Sequence, residues 1–193
     1  MSNTNTHNSR THLRALTEAA LFVAIAVVLH LLRFPVPFLP QSGSVSFILV
    51  PLVFLSVRWG LSWGLISCLA FGILRGTLLA RSFWGWQSLM LDHVVAVAVI
   101  GFAGLFYRKG GIFPALAVVF AGALQFAVHF LSGWWIFYEW MPPEFAGMAM
   151  TNPMVYSLIY NATYMVPSIV ISAVAIGILT KPLGKYFRGE DLA

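Results

Sequence analysis

Apolar residues along this chain gather in long blocks separated by short polar breaks. Several blocks approach the ~20 residues that a helix needs to cross the hydrocarbon core of a bilayer. Strands of a membrane barrel would alternate apolar and polar positions, and these blocks do not. The pattern predicts six helices, at Leu13–Leu32, Val45–Val57, Leu61–Leu79, Ser88–Phe106, Ile112–Phe137 and Pro153–Leu179. The second is a short run interrupted by Pro51. Turn chemistry fills the connectors: "RFPVPFLPQSGS" after the first helix, "RWG" after the second, "YRKGG" after the fourth and "EWMPPEFAGMAMTN" before the sixth. The expected fold class is therefore an all-α membrane protein, a six-transmembrane-helix bundle spanning residues 13–180. A polar tail at 1–12, "MSNTNTHNSRTH", and a basic and polar tail at 181–193 flank it.

Composition agrees. Of 193 residues 60% are hydrophobic and 9% charged, with a mean hydropathy of +0.85. A soluble domain carries about 25% charged residues, so this chain cannot cover its surface with polar groups and lipid must be part of its solvent. The lone Cys68 lies in an apolar segment, which excludes a disulfide framework and reads as a small buried hydrophobe. The first apolar run is long, lacks a small-residue cleavage site and leads into further spans, so no signal peptide is expected.

Charge orients the bundle. With the N-terminus inside, the inner side holds Arg10, Arg14, Arg58, Arg108, Lys109, Lys181, Lys185 and Arg188, and the outer side only Arg33, Arg75 and Arg81. The positive-inside rule then places both termini in the cytoplasm. These inner loops account for the isoelectric point near 9.7 without a nucleic-acid surface.

Ionisable residues inside a membrane are costly and are functional candidates by default. Asp92 lies about one turn in from the outer end of the fourth helix, followed by His93. On the fifth, His129 stands roughly 25 Å from the inner start at 1.5 Å per residue, again in the outer third. Tyr156, Tyr160 and Asn161 fall in the first turns of the sixth. Three helices thus bring polar groups to one depth, open to the outside. His129, Gly133 and Phe137 share a helix face, and Gly133 leaves room beside His129 for a flat ligand to approach the backbone. Trp134, Trp135 and Trp140 lie at the outer boundary, where tryptophan commonly anchors a helix in the interface; Trp84 and Trp86 read the same way. Asp92 needs a partner, and an ion pair with Arg75 or Arg81 is the structural alternative to a binding role. Asn161 has its own alternative, as a hydrogen-bonded link between helices.

Catalytic patterns are weak. There is no His-Glu-x-x-His metal motif, no glycine-rich phosphate loop and no Gly-x-Ser-x-Gly elbow. Ser132 and His129 are three apart on a helix, but nothing marks the serine as activated. The residues suit binding, with no cofactor and no metal. An acid–base role for Asp92 and His129 in a small intramembrane enzyme is the alternative.

The motifs "LTEAALFVAIAVVL", "QSLMLDHVVAVAVIGFAGLF", "HFLSGWWIFY" and "YSLIYNATYMVPS", in order along nearly the whole chain, resemble the thiamine-specific S component of energy-coupling factor (ECF) transporters. The resemblance implies a substrate-binding subunit without ATPase activity in the cell membrane. Its ligand would be thiamine or a precursor, unless another vitamin replaces it. Its partners would be a transmembrane coupling subunit and two ATP-binding subunits. It carries substrate-binding roles onto Asp92, His93, His129, Gly133, Tyr156 and Asn161. The chain departs from the family in having Asp92 where glutamate can occur and Phe137 where a tryptophan is expected, with Trp134 nearby. The first outer loop offers Phe34 and Phe38 where a tryptophan lid can stand. A small-residue motif on the first helix contacts the coupling subunit in that family. Here Ala15 and Ala19, and Ala20 and Ala24, keep the four-residue spacing that lets helices approach closely.

Overall fold

The computed structural model describes residues 3–39, 43–79 and 85–192; Arg81 and Trp84 lie outside them. Among the described residues six helices carry the fold. They are α1 (Asn3–Leu31), α2 (Leu49–Trp59), α3 (Leu61–Leu78), α4 (Trp86–Phe106), α5 (Phe113–Trp135) and α6 (Pro153–Phe187). Between α1 and α2 a small antiparallel hairpin pairs β1 (Phe34–Pro35) with β2 (Ser44–Val45). Between α5 and α6 a 3₁₀ turn at Phe137–Trp140 leads into a second hairpin, β3 (Glu144–Phe145) with β4 (Met148–Ala149).

All helices but α2 are long and apolar enough to cross a membrane. The chain is a multi-pass membrane protein, as its hydropathy predicts. At 11 residues α2 reaches only about 16 Å. It starts four residues later than predicted, after an extended segment. Pro51 falls in its first turn, where the missing N–H has no helical acceptor to lose. Residues Pro51 to Arg58 are all buried, so α2 is the central helix, wrapped by the others. A helix apolar on every side is what such a position requires. The outer helices extend beyond prediction: α1 begins within the polar tail, and α6 continues past Leu179 to Phe187.

Helix α3 meets α4 along a row of small residues, Gly64, Cys68, Gly72 and Gly76, one turn apart. A Cβ on Gly64 would lie 2.8 Å from the Gly101 carbonyl oxygen, and one on Gly72 2.7 Å from that of His93. Without side chains there, the backbones pack directly, as helices do where lipid supplies no hydrophobic drive. Opposite this row α4 is irregular. It forms a π-helical turn over Leu89–Val95, a short α segment and a 3₁₀ segment over Val99–Phe106. Such π turns frequently occur at functional sites, and this one contains Asp92 and His93.

The two ends of the bundle differ. At one end the N-terminal part of α1, the C-terminus of α2 and the chain's C-terminal segment meet around Arg58, which is 2% exposed. Its guanidinium donates to Glu18 at 2.5 and 3.0 Å, to Asp191 at 2.8 and 2.9 Å and to the Tyr186 carbonyl at 2.7 Å. Arg14 joins both carboxylates from outside. At the other end, the helices open into a cavity.

Candidate ligand-binding site

The cavity occupies about 290 Å³, close to the lower end of the ~300–1,000 Å³ usual for small-molecule sites. Every helix reaches it. Its polar centre is Asp92, whose Oδ1 lies 3.1 Å from His129 Nδ1 and whose Oδ2 accepts from the Ser88 hydroxyl at 2.8 Å. A carboxylate only accepts, so Nδ1 carries the hydrogen, and in the neutral ring Nε2 is left as an acceptor. Both residues are largely buried, and both line the cavity with His93 and Gln125.

Asn161 ties α6 to α5. Its amide nitrogen is placed to donate to the Ser157 carbonyl at 2.9 Å, the Ser157 hydroxyl at 3.2 Å and the His129 carbonyl at 3.3 Å, and its oxygen accepts from Tyr164 at 2.7 Å. The Ser157 hydroxyl in turn donates to the Phe130 carbonyl at 2.8 Å. Gly133 makes this possible, since a Cβ there would strike the Ser157 hydroxyl and come within 3.3 Å of the Asn161 amide nitrogen. The absent side chain thus admits α6 against α5 and so fixes the backbone that carries His129.

Aromatic rings stack along α6 at one-turn intervals. Tyr156 and Tyr160 are 5.6 Å apart, Tyr160 and Tyr164 5.9 Å, and Tyr164 meets the His129 ring edge-on at 6.5 Å. From the second hairpin, buried Phe145 packs against Tyr156 at 5.5 Å. The first hairpin covers the other side. The Gly43 N–H donates to the Tyr160 hydroxyl at 3.2 Å and the Ser46 N–H to the Ser168 hydroxyl at 3.1 Å, while Leu39 packs against the tyrosines.

A family model described as "Thiamine transporter protein (Thia_YuaJ)" matches residues 16–188. The chain belongs to this family. A thiamine transporter ThiT of Bacillus subtilis is 35% identical over 187 residues, covering 89% of this chain and 93% of that protein. A ThiT of Lacticaseibacillus paracasei is 26% identical over 199 residues, covering 90% of each. A solved structure of ThiT from Listeria monocytogenes shares the fold with a TM-score of 0.78 at 18% identity, over 92% of this chain and 98% of that one. The function class of this transporter family member is transport, and catalysis is not part of it.

Among the residues singled out in the sequence, Asp92, His93, His129, Gly133, Phe137, Tyr156 and Asn161 all line the cavity. Trp134 does not. It lies on the outer surface of α5, where a shallow apolar groove also holds Leu131, Trp135 and Pro153. It follows Gly133 by one position, and on an α-helix that step turns a side chain by about 100°, out toward lipid. Phe34 and Phe38 are also turned outward, 62% and 63% exposed, and the loop covers the cavity through Pro35, Gly43 and Ser44 instead. The space expected beside Gly133 is filled by Ser157. Asp92 pairs with His129 and Ser88, and among the described residues it makes no ion pair with Arg75. Tyr164, Gln125, Ser157 and the His30–Arg33 pair also line the cavity. Gln125 had a legible signal, a polar residue one turn before His129; the others were not distinguishable in the sequence.

Proposed function

We propose that this chain is the S component of an ECF-type uptake transporter and that it holds thiamine, or a thiamine precursor, in the cavity, which faces outside while both termini are cytoplasmic. The observation that carries the reading is the Asp92–His129 pair. It is a hydrogen-bonded carboxylate and imidazole inside a membrane bundle, walled by tyrosines, in a chain of the thiamine transporter family. The aminopyrimidine of thiamine offers donors and acceptors that Asp92 and His129 can match. Its thiazolium is a flat cation, attracted by each aromatic face by ~0.5–2 kcal/mol, and Phe137, Tyr156, Tyr160 and Tyr164 all line the cavity. Asp92 supplies the compensating charge, while Asn161 acts as a positioning residue, holding the His129 backbone.

Titration of the detergent-purified protein with thiamine, its aminopyrimidine half, riboflavin and biotin is the direct test. Thiamine is expected to bind at submicromolar concentration, the pyrimidine half at least about a hundredfold more weakly, and the other vitamins not at all. Binding of another vitamin in preference to thiamine would overturn the reading.

Coupling to ATP hydrolysis must come from other subunits, since the chain has no phosphate-binding loop. The proposed partners are a transmembrane coupling subunit and two ATP-binding subunits. Of the small residues on α1, Ala15 and Ala19 are buried within this chain, 1% and 6% exposed, and pack the helix in its own bundle. They are therefore not available to a partner. Ala20 and Ala24 are exposed one turn apart on another face, which is the face left for a partner helix. Ala20→Trp and Ala24→Trp are expected to leave thiamine affinity unchanged but to abolish co-purification with the coupling subunit and uptake. Normal assembly and uptake by both variants would remove α1 from the interface.

A further inference from the structure

Deeper than the Asp92–His129 pair, the cavity continues for a further helical turn. Helices α5 and α6 run side by side there in opposite directions. Asn161 is level with His129, to whose carbonyl its amide donates at 3.3 Å, and a Cβ on Gly122 would lie 2.5 Å from Ile169. Gln125 stands between these levels, opposite Met165, on the helix face that also carries His129. Four residues at 1.5 Å each put it about 6 Å deeper than the histidine. The walls at this depth are apolar: Ile48 and Leu49 at the start of α2, and Met165 and Ile169 from α6.

The two serines at this end are engaged with the protein. The Ser168 hydroxyl donates to the Tyr164 carbonyl at 2.7 Å and accepts from the Ser46 N–H at 3.1 Å, and the Ser46 hydroxyl accepts from the Ile48 N–H at 3.3 Å. Gln125 is different. It is 6% exposed and lines the cavity, and among the described residues its amide makes no hydrogen bond. Leaving a buried amide unpaired costs more than an ordinary hydrogen bond gains, so a ligand that brings both a donor and an acceptor to this end is favoured. A primary carboxamide presents an acceptor and donors side by side. That matches an edge where a ring nitrogen adjoins an amino group, the match by which glutamine reads adenine bidentately. A carboxylate only accepts, so Asp92 cannot also donate to the ring nitrogen of such an edge.

We propose that Gln125 is a specificity-determining contact for the aminopyrimidine of the ligand. Its oxygen accepts from the amino group, and its NH2 donates to the adjacent ring nitrogen, while Asp92 and His129 meet the ligand from one turn further out. This rests on the thiamine reading for the identity of the ligand. Gln125 then discriminates against a ring without the amino group, which leaves the amide oxygen unpaired.

The test compares thiamine with its deamino analogue, in which hydrogen replaces the amino group of the pyrimidine, on purified wild-type protein, Gln125→Met and Gln125→Leu. Both substitutions remove the amide and keep a side chain of similar size. Each variant should bind thiamine at least about tenfold more weakly, and the deamino analogue within about threefold of its wild-type affinity. Without ligand, both should melt at or above the wild-type temperature, since an apolar side chain suits these walls better than an unpaired amide. Equal losses for the two ligands, or an unchanged affinity for thiamine, would overturn the proposal. Should wild-type protein not bind thiamine, the thiamine reading fails, and 4-aminopyrimidine against pyrimidine decides the role of Gln125. A rise in melting temperature with the amino compound that is lost in Gln125→Met supports it, and the same response in both proteins overturns it.

Discussion

Asp92→Asn is expected to weaken thiamine binding at least about thirtyfold, or ~2 kcal/mol, in a protein that still folds. Asparagine keeps the size of the side chain and can still accept from Ser88 and His129, so the packing around the π turn survives. What disappears is the negative charge, in a cavity where low-dielectric walls make charge interactions several times stronger than in water. The thiazolium then enters a cavity whose remaining fixed charges, Arg33 and Arg75, have its own sign. Removing one member of a buried charge pair costs about 2–5 kcal/mol in comparable settings. Calorimetric titration, with circular dichroism to confirm helix content, is the measurement. An Asp92→Asn variant that binds thiamine as the wild type does would confine Asp92 to orienting His129. Asp92→Glu, with one more methylene and the charge kept, should lose far less.

The polar residues of the site were legible because a membrane span makes them conspicuous. Asp92, His129 and Asn161 stand in apolar runs, and helical rise alone puts them at one depth. What periodicity could not supply was rotation about the helix axis. Trp134 shares the depth of the site and faces lipid; Gly133, one position earlier, faces α6. The π turn at Leu89–Val95 has no sequence signature, because its apolar residues would read equally well as α-helix, yet it carries both Asp92 and His93 to the cavity wall. Burial of α2 erased any amphipathic stripe, leaving a short run whose ends could not be located. Asn161 illustrates a different limit: its alternative roles, ligand contact and link between helices, have the same sequence signal. In the structure four polar atoms lie within hydrogen-bond range of that amide, which also lines the cavity. The first loop misled for a third reason, since aromatic side chains suggested a lid, while the loop closes through backbone N–H groups that every sequence possesses.

The bundle's opposite end was not legible at all, since Glu18, Arg58 and Asp191 are far apart in the chain and each reads as an ordinary charge near a helix terminus. Together they hold three segments. Arg58 is at the last turn of α2, Glu18 is on α1, and Asp191 follows the end of α6. Trp59 donates its indole N–H to Glu18 at 2.8 Å, and the Trp59 and Tyr186 rings lie 5.5 and 5.6 Å from the guanidinium carbon. All of the donors that Arg58 presents are therefore directed at defined acceptors, the condition under which a buried ion pair holds its geometry. The node also fixes the N-terminal part of α1, the helix whose exposed Ala20 and Ala24 are proposed to meet a partner.

Arg58→Met is consequently expected to destabilise the protein by about 3 kcal/mol or more, the cost of removing the buried cation of the network and leaving two partly buried carboxylates with Arg14 alone. For a chain of this size that corresponds to a fall in melting temperature of roughly 6 °C or more. Arg14→Met, which removes the partly exposed member of the same cluster, should cost less than about 1 kcal/mol. Pairing Arg58→Met with Glu18→Gln and Asp191→Asn should recover part of the loss, because the two carboxylates that Arg14 alone would have to balance go with the cation. Thermal unfolding in detergent, followed by circular dichroism, measures all of these. At a temperature where the variant remains folded its thiamine affinity should stay within about twofold of wild type, since the cavity lies at the other end of the bundle. An Arg58→Met protein that melts with the wild type would show that the network contributes no net stability, and that packing of α2 alone holds the two termini together.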